Sequence, residues 1–210
     1  METTDVGAAG IGAAQVDLGP DGNGPARESG GPPGDSPEWA YAFVTHCAAE
    51  TKRIAEAIGG FARDGWVVLL SGPLGAGKTT FAQGLFARLG VGGPVRSPTF
   101  TIINEYPGIL TCWHVDLYRL GGGEDFAAIG GDEILLGGEG LVVVEWAERL
   151  CAGGSLPSEY VWVDLEFLAP GTPDDRRLVT VSLKGGGYRA ASAGLAGLDL
   201  PAASNRRDGP

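Results

Sequence analysis

Between Trp39 and Thr45 the large residues Trp39, Tyr41 and Phe43 alternate with small ones, the period of two that marks a strand. The period then lengthens. Ala48, Thr51, Ile54, Ala55 and Ile58 recur as one face of a helix, and Gly59-Gly60 predicts its stop. At Trp66-Val67-Val68-Leu69-Leu70 alternation gives way to a continuous apolar run, as expected of a central parallel strand covered on both faces. A second such run, Leu141-Val142-Val143-Val144, ends at Glu145-Trp146. Between the two, Thr79 to Leu89 places Phe81, Leu85 and Leu89 on one helical face and closes at Gly90. Thr99 to Tyr106 and Ile109 to Val115 read as two strands around the Pro107-Gly108 turn, an antiparallel hairpin inside an otherwise parallel sheet. Tyr160 to Phe167 and Leu178 to Leu183 alternate in the manner of sheet-edge strands, connected through Pro170 to Asp175. No internal repeat is found. The order of elements predicts an α/β fold with a mixed, mainly parallel sheet.

The two ends read differently. Residues 1–37 are dominated by Gly, Ala, Pro and Asp, and residues 185–210 by Gly, Ala and Ser. Neither stretch carries enough apolar area to offset its ordering entropy, so both are expected to be disordered tails around a domain at 38–184. With 210 residues, 43% of them hydrophobic, one α/β domain is the natural content.

A net charge of −11 argues against a broad phosphate-neutralising surface, so strong direct nucleic-acid binding is not expected. Cys47, Cys112 and Cys151 are odd in number and widely spaced, with no Cys-x-x-Cys or Cys/His pairing, which fits a reduced cytoplasmic protein. No apolar run approaches the roughly 18 to 20 residues that span a bilayer, and the N-terminus lacks signal- or transit-peptide character. No membrane association is expected.

The strongest chemical signal is Gly72-Pro73-Leu74-Gly75-Ala76-Gly77-Lys78-Thr79, set between a predicted strand and a predicted helix. A triphosphate needs donors at short range, and backbone N–H groups reach it only where no Cβ intervenes. Gly72, Gly75 and Gly77 supply that clearance. Lys78 is placed to reach the β- and γ-phosphates, the helix N-terminus points at the same anion, and the Thr79 hydroxyl is a ligand for Mg²⁺. ATP with Mg²⁺ is the expected cofactor set, since no Asn-Lys-x-Asp run favours GTP. The fold is then a P-loop NTPase-like three-layer sandwich.

Mg²⁺ prefers hard oxygen ligands, and a P-loop enzyme usually adds a carboxylate from a neighbouring strand end. Asp116 and Glu145 both qualify, each following an apolar run. Glu145 suits direct or water-mediated metal binding, while Asp116 suits polarising water or sensing the γ-phosphate. Which of the two orients the attacking water is open on residues alone. Ser97-Pro98-Thr99 lies where nucleotide switches place a γ-phosphate-sensing loop, and also reads as an ordinary Ser-Pro turn. His114, alone on an apolar strand, reads as a packed histidine. Tyr118 and Arg119 either brace the site or face a partner, and Trp146 either stacks on a base or partner or plugs the core.

Taken in order, Leu74-Gly75-Ala76-Gly77-Lys78-Thr79-Thr80, Ser97-Pro98-Thr99-Phe100-Thr101, Glu105-Tyr106, His114-Val115-Asp116-Leu117-Tyr118-Arg119-Leu120 and Val144-Glu145-Trp146 resemble the bacterial TsaE family, also called YjeE. The resemblance covers about Phe43 to Lys184. It implies a P-loop sandwich with a mixed sheet and an ATPase that is weak alone. It further implies work with TsaB- and TsaD-type partners, which transfer a threonylcarbamoyl group to tRNA, so that tRNA is met only through the complex. By position, Gly75, Ala76, Gly77, Lys78, Thr79 and Thr80 match the family's nucleotide-binding residues and Lys78 its phosphate-binding lysine. Thr79 and Glu145 match its magnesium-associated residues, and Asp116 the acid that supports hydrolysis. Lys78 and Asp116 are thus the expected catalytic residues. Ser97 to Thr99 match its switch-like segment. Pro73 departs from the family, which commonly carries an acid there, and so do the two long ends.

Two other readings share the P-loop: a small-molecule or nucleoside kinase with Asp116 as base, and a nucleotide-dependent assembly module without productive hydrolysis. The absence of an evident Arg-rich lid weighs against the kinase.

Overall fold

A computed structural model describes residues 16–17, 37–151, 153, 156–168 and 175–200. In chain order the elements begin with β1 (Val16–Asp17), β2 (Trp39–Thr45), α1 (Ala48–Gly59), β3 (Trp66–Ser71), α2 (Lys78–Arg88), β4 (Ile103–Tyr106) and β5 (Cys112–Asp116). They continue with α3 (Gly123–Ala128), α4 (Gly131–Leu136), β6 (Leu141–Glu145), β7 (Tyr160–Phe167), β8 (Arg177–Lys184) and α5 (Arg189–Ala196). One sheet takes all the strands in the order β1-β2-β8-β7-β3-β6-β5-β4.

The parallel centre is β7-β3-β6-β5, and every residue of β3 and β6 is buried, as continuous apolar runs predict. Successive side chains of β3 point to opposite faces and enter two separate cores. Val68 and Leu70 pack with α1, α2 and α5, whereas Val67 and Leu69 pack with α3, α4 and the 3₁₀ turn Ala147–Cys151. Three layers result, each apolar side chain fully withdrawn from water contributing about 1.5–3 kcal/mol. Gly84 lets α1 close on α2, because a Cβ there would lie 2.6 Å from the Lys52 carbonyl oxygen.

The expected hairpin forms between β4 and β5. It starts later than predicted: residues Thr99 to Ile102 turn instead of extending, with Ile102 at φ 66°. The Thr99 hydroxyl is held by Asp116, which pulls this segment off the sheet edge.

The antiparallel share of the sheet is larger than one hairpin, since β1–β2, β2–β8 and β8–β7 also pair antiparallel. β7 and β8, expected at an edge, are interior strands. Alternation misleads because it reports the faces and not the edges: β7 is buried on both faces and β8 on one, yet each has a strand on either side. Val161, Val163 and Leu165 enter one core, Tyr160 and Trp162 enter the other, and the intervening Asp164 accepts a bond from Trp162 Nε1 at 3.0 Å.

Residues 185–200, expected as part of a tail, are folded. Tyr188, Ala191, Leu195 and Leu200 are buried in the core beneath α1, and Tyr41 Oη meets Ser192 Oγ at 2.7 Å. The small residues that signalled disorder are what allows α5 to lie close against its neighbours. In the N-terminal stretch, Val16–Asp17 pairs with Tyr41–Ala42. The remainder of 1–36, along with 201–210 and most of the predicted Pro170–Asp175 connection, lies outside the described residues. Among the described residues no helix is long and apolar enough to cross a membrane.

Candidate functional site

The glycine loop leaves β3 at Ser71 and enters α2 at Lys78. Gly72 (φ 129°), Gly75 (φ 79°) and Gly77 (φ 111°) all adopt backbone that side chains resist. At Gly72 the reason is contact as well, because a Cβ would sit 2.1 Å from the Leu165 carbonyl oxygen of β7. At Gly75 and Gly77 nothing approaches a built Cβ closer than 3.6 Å, so the loop amides stand clear. No side chain caps α2 and no acid occupies its first turn. Its positive end is therefore free for an anion.

A cleft of about 370 Å³ opens over this loop, lined by Gly75, Gly77, Lys78, Thr79 and Thr80 from the loop and α2, and by Asp116 and Glu145 from the strand ends. Ser97, Thr99, Tyr118, Trp146 and Leu74 complete it. Of the expected site residues only Ala76 does not face this cleft; it is buried and borders a second recess of about 340 Å³ across the loop, with His46, Cys47, Thr51 and Arg177.

The parallel register of β5 and β6 sets Asp116 opposite Glu145. Thr79 Oγ1 donates to both oxygens of Glu145, at 2.8 and 3.1 Å. On the other side, Asp116 Oδ2 accepts the Ser97 hydroxyl and, at 2.7 Å, the Thr99 hydroxyl, while Oδ1 accepts the Tyr118 amide at 2.8 Å. The Ser97-Pro98-Thr99 segment is thus tied to Asp116 and not to Glu145.

Lys78 turns back on its own loop, donating to the carbonyls of Gly72 at 2.5 Å and Pro73 at 3.0 Å, with Nζ 3.6 Å from the centre of the Trp146 ring. Burial lowers the pKa of this ammonium, and the carboxylates of Glu145, Glu148 and Asp116 act against that shift. Trp146 reaches this position because it takes φ 61° directly after β6. Trp146 is half-buried: it packs against the core that holds Val67 and Leu69, and its ring covers the lysine at the edge of the cleft.

Thr79 and Glu145 offer hard oxygens beside the glycine loop, the donor chemistry Mg²⁺ takes. Among the described residues no group of three His, Cys, Asp or Glu is gathered to hold a metal. That is compatible with Mg²⁺, which uses one or two protein oxygens and completes its shell from phosphate and water.

His114 is a site neighbour that sequence reasoning read only as a packed core or edge histidine. It is fully buried, and its Nε2 lies 2.8 Å from Glu145 Oε1. Among the described residues its buried Nδ1 finds no partner, and neither does the buried Glu148 Oε2. A polar atom left so costs about 1–3 kcal/mol. The period of two was the available signal: His114 shares a strand face with Asp116.

The family model described as "Threonylcarbamoyl adenosine biosynthesis protein TsaE" matches residues 45–175. The tRNA threonylcarbamoyladenosine biosynthesis protein TsaE of Treponema pallidum (strain Nichols) is 42% identical over 139 residues, 66% of this chain and 98% of that protein. The protein of the same name from Bacillus subtilis (strain 168) is 41% identical over 140 residues, 66% of this chain and 83% of its own. Among solved structures, the crystal structure of Bacillus subtilis YdiB aligns with a TM-score of 0.61 at 35% identity, covering 75% of this chain and 94% of that one.

Proposed function

The chain belongs to the TsaE family of tRNA threonylcarbamoyladenosine biosynthesis, and from that membership we propose that it is a cytoplasmic, Mg²⁺-dependent ATPase. It serves TsaB- and TsaD-type proteins as an accessory subunit, cycling the transferase they form and meeting tRNA only through that complex. The observation that supports this most is the bond from Thr79 to Glu145 at the mouth of an uncapped glycine loop.

In this reading the loop amides and the N-terminus of α2 receive the β- and γ-phosphates, and the nucleoside end lies toward the recess bordered by Thr51 and Arg177. Lys78 leaves its carbonyls and the Trp146 ring to reach the γ-phosphate, an exchange of partners for one already charged and close. Thr79 and Glu145 hold Mg²⁺, which when bound neutralises charge on the phosphate oxygens. Asp116 orients water for in-line attack, because its carboxylate faces the cleft and is steadied by Ser97 and Thr99. A γ-phosphate at those hydroxyls would compete with Asp116 for them, which couples the segment to the nucleotide. Lys78 and the amides stabilise the charge that develops in transfer.

The test is phosphate release from Mg-ATP by the purified chain, with and without reconstituted TsaB- and TsaD-type proteins and with Lys78→Ala as the blank. The reading expects slow release alone, stimulation by the partners, and loss in the variant. Normal hydrolysis by Lys78→Ala would sink the site assignment. Phosphate found on an acceptor molecule would replace it with a kinase.

A further inference from the structure

We propose that His114 is a positioning residue, holding the Glu145 carboxylate in place for the cation through a hydrogen bond from Nε2. The proposal rests on the Mg²⁺-dependent reading above and extends it to a residue outside the cleft. His114 is fully buried in β5, and its Nε2 stands 2.8 Å from Glu145 Oε1, 31 residues away in the chain. The register pairs Asp116 with Glu145 and His114 with Val143, so His114 sits one step back on the same face, behind the carboxylate.

A carboxylate only accepts, so the bond requires a proton on Nε2, and Nδ1 takes no part in it. That buried Nδ1 finds no partner among the described residues. The ring is set edge-on to Phe86, centroids 5.5 Å apart at 85°, with Tyr106 at 6.4 Å, so it cannot turn away freely. An apolar side chain would fill such a slot without stranding a polar atom. The histidine is explained by what its other nitrogen does.

Glu145 Oε1 is shared by His114 and Thr79, whereas Oε2 receives only the longer 3.1 Å contact from Thr79. The Thr79 hydroxyl would have to serve both the cation, through a lone pair, and Glu145, through its proton, whereas the bond from His114 serves Glu145 alone. The bond from His114 anchors Oε1 and leaves Oε2, with its longer contact, the freer oxygen. Among the described residues no buried ring stands behind Asp116 in this way; its anchors are hydroxyls of the neighbouring segment and one amide.

Glutamine and asparagine separate this role from simple packing. Both carry one amide and strand one polar oxygen in the slot, but only the glutamine nitrogen stands as many bonds from Cβ as Nε2 does. The experiment is calorimetric binding of ADP to the full chain and to His114→Gln, His114→Asn and His114→Leu, without Mg²⁺ and along a Mg²⁺ titration. Thermal unfolding of each is recorded alongside. Mg²⁺-free ADP affinity is expected to stay at the wild-type level, since the loop amides and Lys78 are untouched. The Mg²⁺ concentration for half-maximal enhancement is expected to rise about 10- to 100-fold in the Asn and Leu variants and to return toward wild type in Gln. Equal Mg²⁺ dependence in all folded variants overturns the proposal, as does a Gln variant no better than Asn. Should Leu fail to fold, the Gln and Asn pair decides alone. ¹⁵N spectra add a readout free of ligand: a ring protonated at Nδ1 alone overturns it too. A wild-type chain whose ADP affinity ignores Mg²⁺ would instead overturn the parent reading, and this one with it.

Discussion

Asp116 and Glu145 end neighbouring parallel strands directly opposite one another, yet they hold different hydroxyls: Asp116 those of Ser97 and Thr99, Glu145 that of Thr79. Two carboxylates of similar chemistry thus differ in the segment each one ties down, Ser97 to Thr99 or the start of α2. That division predicts different kinetic losses. Glu145→Gln should weaken Mg²⁺-dependent nucleotide binding. Asp116→Asn should bind Mg-nucleotide as wild type does and lose turnover by about 10²-fold or more, as removal of a group that orients or accepts a proton typically does. Pre-steady-state binding and single-turnover hydrolysis distinguish the two, and equal binding defects would refute the division.

Gly72 and Gly93 both have positive φ, 129° and 94°, but only Gly72 has backbone within reach of a Cβ. Gly93→Ala meets nothing within 4 Å and should cost only the backbone strain, about 1–2 kcal/mol. Gly72→Ala adds a collision with the Leu165 carbonyl, so a further loss of about 1–3 kcal/mol is expected. Urea unfolding of the two variants measures the difference, and similar midpoints would show that β7 yields to the loop.

The segment after β8 should behave as core. Leu195→Ala is expected to destabilise the chain by about 2–5 kcal/mol. Tyr188→Phe removes a hydroxyl lying 3.3 Å from the Val67 amide and 3.4 Å from its carbonyl, worth about 1 kcal/mol. Values near zero for both, read from denaturant melts, would mean that the segment after β8 adds nothing to stability.

Asp164 predicts a dependence on pH. Burial raises its carboxyl pKa, and hydrogen bonds from Trp162 and Ser71 only partly oppose this. A carboxyl whose folded pKa lies above its unfolded one favours the folded state when protonated. Its contribution is complete below the unfolded pKa and is lost as pH rises through the folded one. Asp164→Asn keeps an acceptor for Trp162 Nε1 and removes the charge. The variant should therefore melt higher than wild type at about pH 7 and lose that advantage as pH falls toward about 4. A constant gap across this range would assign the effect to something other than ionisation.

Much of the site was legible in the chain itself. The apolar run at Trp66, the glycines after it and the helical period from Thr79 are consecutive, so strand, loop and helix follow from local periodicity and steric freedom. Asp116 and Glu145 were readable for the same reason, as charges that interrupt apolar runs. Alternation in β7 and β8, however, says only that two faces differ, and which strand lies beside them is settled by pairing across the sheet. The composition of 185–200 counts small residues without knowing that α1 offers them a surface. The same limit hides the contact of Lys78 with Trp146, of Thr79 with Glu145 66 residues away, and of His114 behind that carboxylate. Sequence alone determined the glycine loop with its lysine and threonine, and the two acids that line the same cleft, because these depend on residue type and short spacing. Tertiary structure decided which of them touch, because strand register and helix packing join positions that no local period relates.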